Sequence, residues 1–167
     1  SSITAPDAGA LLKAAAIGEP VEVQALLQQG ADVNAISADK NARSALMVAA
    51  AAGRLETVRV LLVAGAKLES ADSSGLTALN WAALRRRNQV AGLLLQYGAD
   101  VNTTDNNGVT PLLYAAGTRN IELLKLLMAQ GAELEVLSEA NRMTPLLVAL
   151  EMATPRPWCY SWITALM

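Results

Sequence analysis

Between residues 55 and 62, apolar side chains fall at Leu55, Val58, Leu61 and Leu62, with Glu56 and Arg59 between them. Spacings of three and four put those residues on one face of a short amphipathic helix. Gly65 follows, as a glycine at a helix C-terminus does when the chain turns through the left-handed region. Ahead of this helix, Leu46 leads into the small residues Ala49 and Ala50, and equivalent runs recur at Ala82-Ala83 and Ala115-Ala116. They predict a second short helix whose neighbours approach closely. Asp72-Ser73-Ser74-Gly75 and Asp105-Asn106-Asn107-Gly108 are turn sequences, with Asx side chains and a glycine to reverse the chain.

The order helix, helix, extended turn repeats. Gly30-Ala31-Asp32-Val33-Asn34 returns as Gly65-Ala66-Lys67-Leu68-Glu69, Gly98-Ala99-Asp100-Val101-Asn102 and Gly131-Ala132-Glu133-Leu134-Glu135, at glycine spacings of 35, 33 and 33. A second marker keeps the same period: Ser44-Ala45-Leu46, Thr77-Ala78-Leu79, Thr110-Pro111-Leu112 and Thr144-Pro145-Leu146. Thr110-Pro111 supplies an N-cap hydroxyl and a proline at the first helical position, where its missing N–H costs nothing. A unit of about 33 residues with D-x-x-G-x-T-P-L, small alanines, a leucine-rich helix and G-A-D-V-N resembles the ankyrin repeat.

The resemblance implies an all-α solenoid of helix-turn-helix units with hairpin-like turns, forming one domain over residues 1–167. Its expected divisions are an N-terminal capping unit (1–34), repeats at 35–67, 68–100 and 101–133, and a divergent C-terminal repeat or cap at 134–167. Three departures stand out. The histidine that the family places after T-P-L is replaced by Met47, Asn80, Leu113 and Leu147, so its side-chain hydrogen bonding across repeats is expected to be missing. The glycine between the paired helices is kept as Gly18 and Gly53 but becomes Arg86 and Arg119. The first turn carries two extra residues around Ile36 to Asp39.

Composition agrees with such stacking: 53% of residues are hydrophobic but only 4% aromatic, so alanine and leucine must build the core between neighbouring units. Histidine is absent, which removes the usual general base, the Ser-His and Cys-His pairs and the commonest metal ligand. No G-x-S-x-G elbow or glycine-rich phosphate loop is present. We expect no enzyme activity, no cofactor and no metal site. The acids Asp39, Asp72, Asp105 and Glu139 recur at one register and are expected to cap backbone N–H groups of the turns. A net charge of -2 gives no generic footprint for nucleic acid. No apolar stretch reaches the roughly 18 residues of a membrane helix, so no membrane insertion is expected. The single Cys159 carries no information on compartment. The chain starts at Ser1 rather than Met, leaving a removed leader open, and the default expectation is a soluble cytoplasmic protein.

Family resemblance also implies a site. Partners of such arrays bind the concave face made by turn tips and the outer ends of the first helices. By position these are Lys40, Asn41 and Arg43; Ser73, Ser74, Leu76, Leu84 and Arg85; Asn106, Asn107, Val109 and Thr118; and Asn141, Met143 and Met152. Leu76, Val109 and Met143 are expected as apolar anchors inside a polar rim, the anatomy of a protein-binding patch. Trp81 and Tyr114, one period apart, are expected to pack between repeats. The uncharged tail 158–167 holds half the aromatic residues. A capping helix is expected there, with an anchor for a partner or a second copy through Trp158, Tyr160 and Trp162 as the competing reading, and a non-native end as a third. The expected function is non-catalytic binding of another protein, masking or inhibiting it in the manner of an immunity factor. Alternatives are an adaptor joining two partners and a small-ligand or phosphate site at the Arg85–Arg87 corner.

Overall fold

The computed structural model describes residues 7–134 of the 167-residue chain. Among them are eight helices: α1 (Ala8–Ile17), α2 (Pro20–Gln28), α3 (Ala45–Ala52), α4 (Leu55–Val63), α5 (Ala78–Leu84), α6 (Asn88–Gln96), α7 (Pro111–Gly117) and α8 (Ile121–Ala129). They form four antiparallel pairs. Each first helix packs on its equivalents before and after it, α1 on α3 on α5 on α7, and each second helix does the same, α2 on α4 on α6 on α8. The architecture is an all-α repeat solenoid, and β pairing among the described residues is confined to one antiparallel bridge, Ile36 with Ser44.

Local chemistry starts each first helix. Ser44 Oγ accepts from the Met47 N–H at 3.3 Å, Thr77 Oγ1 from Asn80 at 3.4 Å and Thr110 Oγ1 from Leu113 at 3.2 Å, each satisfying an amide without an intrahelical partner. Helices of seven to ten residues are marginal alone, so packing must hold them. Leu11, Leu46, Leu79 and Leu112 stand in one column and are buried, as are Ala14, Ala49, Ala82 and Ala115 in the next. Such alanine contacts leave no room for larger groups; an added methylene there costs about 1–3 kcal/mol.

The structure explains how Arg86 stands where the first two units keep an inter-helix glycine. All four positions take positive φ: Gly18 at 88°, Gly53 at 75°, Arg86 at 58° and Arg119 at 54°. At the first two, an arginine of the next unit crosses the glycine. Arg54 Nε donates to the Ala16 carbonyl at 3.3 Å and Arg87 Nε to the Ala51 carbonyl at 3.1 Å, neutralising the ends of α1 and α3. A Cβ at Gly18 would stand 2.4 Å from Arg54 Cδ, and one at Gly53 2.8 Å from Arg87 Cδ. One period after Arg87 comes Asn120, too short to cross, and Arg86 is then accommodated at the price of a left-handed backbone.

A further set of bonds couples one unit to the next. The Asn34 side-chain oxygen accepts from the Lys67 N–H at 2.9 Å, Glu69 Oε1 from Asp100 at 2.8 Å and Asn102 Oδ1 from Glu133 at 2.8 Å. The last residue of each Gly-Ala-Asp-Val-Asn segment thus holds the third residue of the following one.

Candidate partner-binding face

The turns feeding α5 and α7 share one design. Asp72 Oδ1 accepts from the N–H groups of Ser74 (2.9 Å) and Leu76 (3.0 Å), and Asp105 Oδ1 from Asn107 (2.8 Å) and Val109 (2.9 Å). Gly75 and Gly108 turn the chain at φ 82° and 74°. Both carboxylates are buried, and each meets an aromatic donor nine residues on: Trp81 Nε1 donates to Asp72 Oδ2 at 3.0 Å and the Tyr114 hydroxyl donates to Asp105 Oδ2. Burial, followed by the hydrogen bond and the charge of Asp105, raises the Tyr114 phenol far above its ordinary range, so this hydroxyl stays a donor.

Neighbouring tips are joined by backbone. The Ser73 N–H donates to the Asn41 carbonyl at 2.9 Å, the Asn106 N–H to the Ser74 carbonyl at 3.0 Å, and Asn106 Nδ2 to the Ser73 carbonyl at 3.0 Å. Lys40, Ser73, Ser74, Asn106 and Asn107 are exposed on this braced edge, and Asn41 is half-buried. Leu84 and Thr118 are half-exposed at the ends of α5 and α7, and Arg85 is exposed.

Two expected anchors are core residues instead. Leu76 is 7% exposed and Val109 is fully buried. Each donates its backbone N–H to the aspartate of its own turn, and its side chain joins the core between the units. Arg43 stands at the same register in the first unit but remains accessible, its side chain 39% exposed. Its guanidinium carbon lies 4.3 Å from the Trp81 ring centroid and its Nε 3.9 Å from Asp72 Oδ2. Arg85 approaches the same ring at 5.8 Å. Asn141, Met143, Met152 and the tail residues Trp158, Tyr160 and Trp162 lie outside the described residues.

The run Arg85-Arg86-Arg87 is not one patch. Arg86 Nη1 donates to the Thr118 carbonyl at 3.1 Å and Arg87 Nε to the Ala51 carbonyl, in units on opposite sides, while Arg85 faces Trp81. A second correction concerns the missing histidine. At Asn80 the bonding across units is kept: Nδ2 donates to the Val109 carbonyl at 3.4 Å, and the Thr77 hydroxyl donates to Oδ1 at 2.6 Å. Met47 and Leu113, at the same register, are simply buried.

Four stacked units with capped turns and a cross-unit ladder are what a repeat family would share, and a family model of ankyrin repeats, in three copies, matches residues 11–105 and 94–159. The chain belongs to the ankyrin-repeat family. Ankyrin repeats generally serve as protein–protein interaction modules and are typically non-catalytic. No curated protein matches this ankyrin-repeat chain. Among its described residues no helix is long and apolar enough to cross a membrane. Nor does any group of three or more His, Cys, Asp or Glu side chains among them suit a metal ion.

Proposed function

We propose that the chain binds one partner protein through the face formed by its turn tips and the exposed ends of α5 and α7, and that binding masks or inhibits that partner. The observation that carries this reading is the bracing of the polar edge. Ser73, Ser74, Asn106 and Asn107 present hydrogen-bonding groups from turns already fixed to one another by backbone bonds. A surface ordered before contact loses little entropy on binding. The first helices α3, α5 and α7 contain no charged residue, so this face offers polar tips beside small apolar patches such as Leu84. That arrangement suits a folded protein surface. A phosphate site at the Arg85–Arg87 corner has less support, since Arg86 and Arg87 are committed to helix-end carbonyls.

The test is affinity capture with the full chain and with a Ser73→Trp/Asn107→Trp double variant, which changes bulk and not charge, followed by mass spectrometry and an assay of the captured protein. The reading requires one stoichiometric partner, lost from the double variant at unchanged melting temperature, whose activity falls when the chain is added. Capture that ignores the double variant would place the site elsewhere. A partner whose activity is untouched would leave binding and remove inhibition.

A further inference from the structure

Resting on the face just proposed, the geometry points to an acidic segment of the partner as its ligand, with a carboxylate seated between Arg43 and Arg85 beside Trp81. Two guanidiniums converge on one indole, at 4.3 Å and 5.8 Å from its centroid. Their charge is only half answered. The nearby carboxylate is Asp72, whose oxygens already accept from Ser74, Leu76 and Trp81. Arg43 Nε sits 3.9 Å away, beyond hydrogen-bond range, and is buried without an acceptor. Arg85 is exposed, and its side chain makes no hydrogen bond among the described residues.

The other arginines of the helix corners show the contrast. Arg54, Arg86 and Arg87 each direct their guanidinium at a backbone carbonyl. Arg43 and Arg85 do not, and guanidinium donors held in a fixed fork match a carboxylate better than any other protein group. The acids near this pair come from the turns: Asp72 beside Arg43, already holding three donors, and the exposed Asp39 next to Lys40, capped by Ser37 and the Asn41 backbone. Helices α1, α3, α5 and α7 contain no Asp or Glu, whereas Glu22, Glu56 and Glu122 lie on second helices. Lys40 is exposed on the adjoining tip. Trp81 is buried with Arg43 over its ring and Arg85 near it, so it holds the two cations together, and Trp and Arg are prominent at binding hot spots.

The experiment titrates the full chain with a short glutamate-rich peptide, its glutamine counterpart and a short DNA duplex, read by calorimetry and by the NMR signal of the Trp81 indole N–H. The glutamate peptide is expected to bind, shift that signal and weaken with added salt, and Arg85→Gln should reduce its affinity about tenfold. Lys125→Gln on α8 should leave it unchanged. Arg85 is exposed, so the melting temperature of Arg85→Gln reports that folding is intact. Equal binding of the glutamine peptide, tighter binding of DNA, or indifference to Arg85→Gln would overturn the acidic ligand. If the partner captured above is still lost through Ser73→Trp/Asn107→Trp, only the acidic ligand fails; if that capture ignores the double variant, the binding face falls with it.

Discussion

The turn that leads into α3 and the turns that lead into α5 and α7 carry the same aspartate at the same register, yet the three carboxylates end in different surroundings. Asp72 and Asp105 are buried and take an indole N–H or a phenol hydroxyl. Asp39 is exposed. Nine residues beyond it stands Val48, which has nothing to donate. Two extra residues bring in Ser37, which shares the capping with Asp39. The Ser37 hydroxyl accepts from the Arg43 N–H at 2.9 Å and donates to Asp39 Oδ1 at 2.6 Å. The difference shows what burying a charge demands. A carboxylate goes inside only where its oxygens find enough donors, and one aromatic per turn decides whether they do.

This contrast can be broken most severely at the core residue that follows the turn. Leu76→Asp should bury an unpaired charge in the core and cost at least about 4 kcal/mol, enough to unfold much of the array in urea melts. Arg43→Asp, at the same register but accessible, should leave a cooperative fold. Next comes the carboxylate. Asp105→Ala strands two turn amides and the Tyr114 hydroxyl, a loss of about 3 kcal/mol by denaturant titration; the corresponding Asp39→Ala change should shift the midpoint far less. If the two changes cost the same, the aromatic donor is not what separates the turns.

Smaller effects sharpen the same comparison. Gly75→Ala brings a Cβ to 2.6 Å from the Asn106 backbone nitrogen at φ 82°, and about 2 kcal/mol should be lost. Ala42, one period earlier, already sits at φ 53°; Ala42→Gly should therefore raise stability by up to about 1 kcal/mol, measured as a higher denaturation midpoint. The smallest effect is pH dependence at Asp39. Hydrogen bonds from Ser37 and the Asn41 backbone hold its carboxyl below the ordinary 3.8. A depressed folded pKa adds stability that is complete above 3.8 and disappears as pH falls through the lower folded value. The difference in melting temperature between the wild type and Asp39→Ala should accordingly be present at neutral pH and vanish in strong acid.

Much of this was legible in the chain because it is local. Caps at Ser44, Thr77 and Thr110, the Asp-x-x-Gly turns and the stripe on α4 each depend on residues within one turn or helix, and the period multiplied every signal. What escaped depends on registers that only stacking brings together. Leu76 and Val109 look like surface anchors until the turn folds back over its own aspartate. Asn80 looks like a lost histidine until Val109 of the next unit presents its carbonyl. The aromatic partners of Asp72 and Asp105 did leave a trace, since Trp81 and Tyr114 each follow their acid by nine residues while Val48 follows Asp39. Arg43 left a trace too: it is a charged residue at a position filled elsewhere by Leu76 and Val109.

The bonds from Asn34 to Lys67, Glu69 to Asp100 and Asn102 to Glu133 set a phase for the whole array. They connect each unit to its successor beyond the turn, so residues added inside a turn do not disturb them. The first turn has two more residues than the others, and Asn34 still reaches Lys67 at 2.9 Å. Length can thus vary at the tips while the helices keep their stacking. Excision of one whole period between equivalent residues would rejoin an acceptor to a donor of the same kind, leaving a shorter array with its joints unchanged. Added length in a turn and the stacking of the helices are thus separable in this chain.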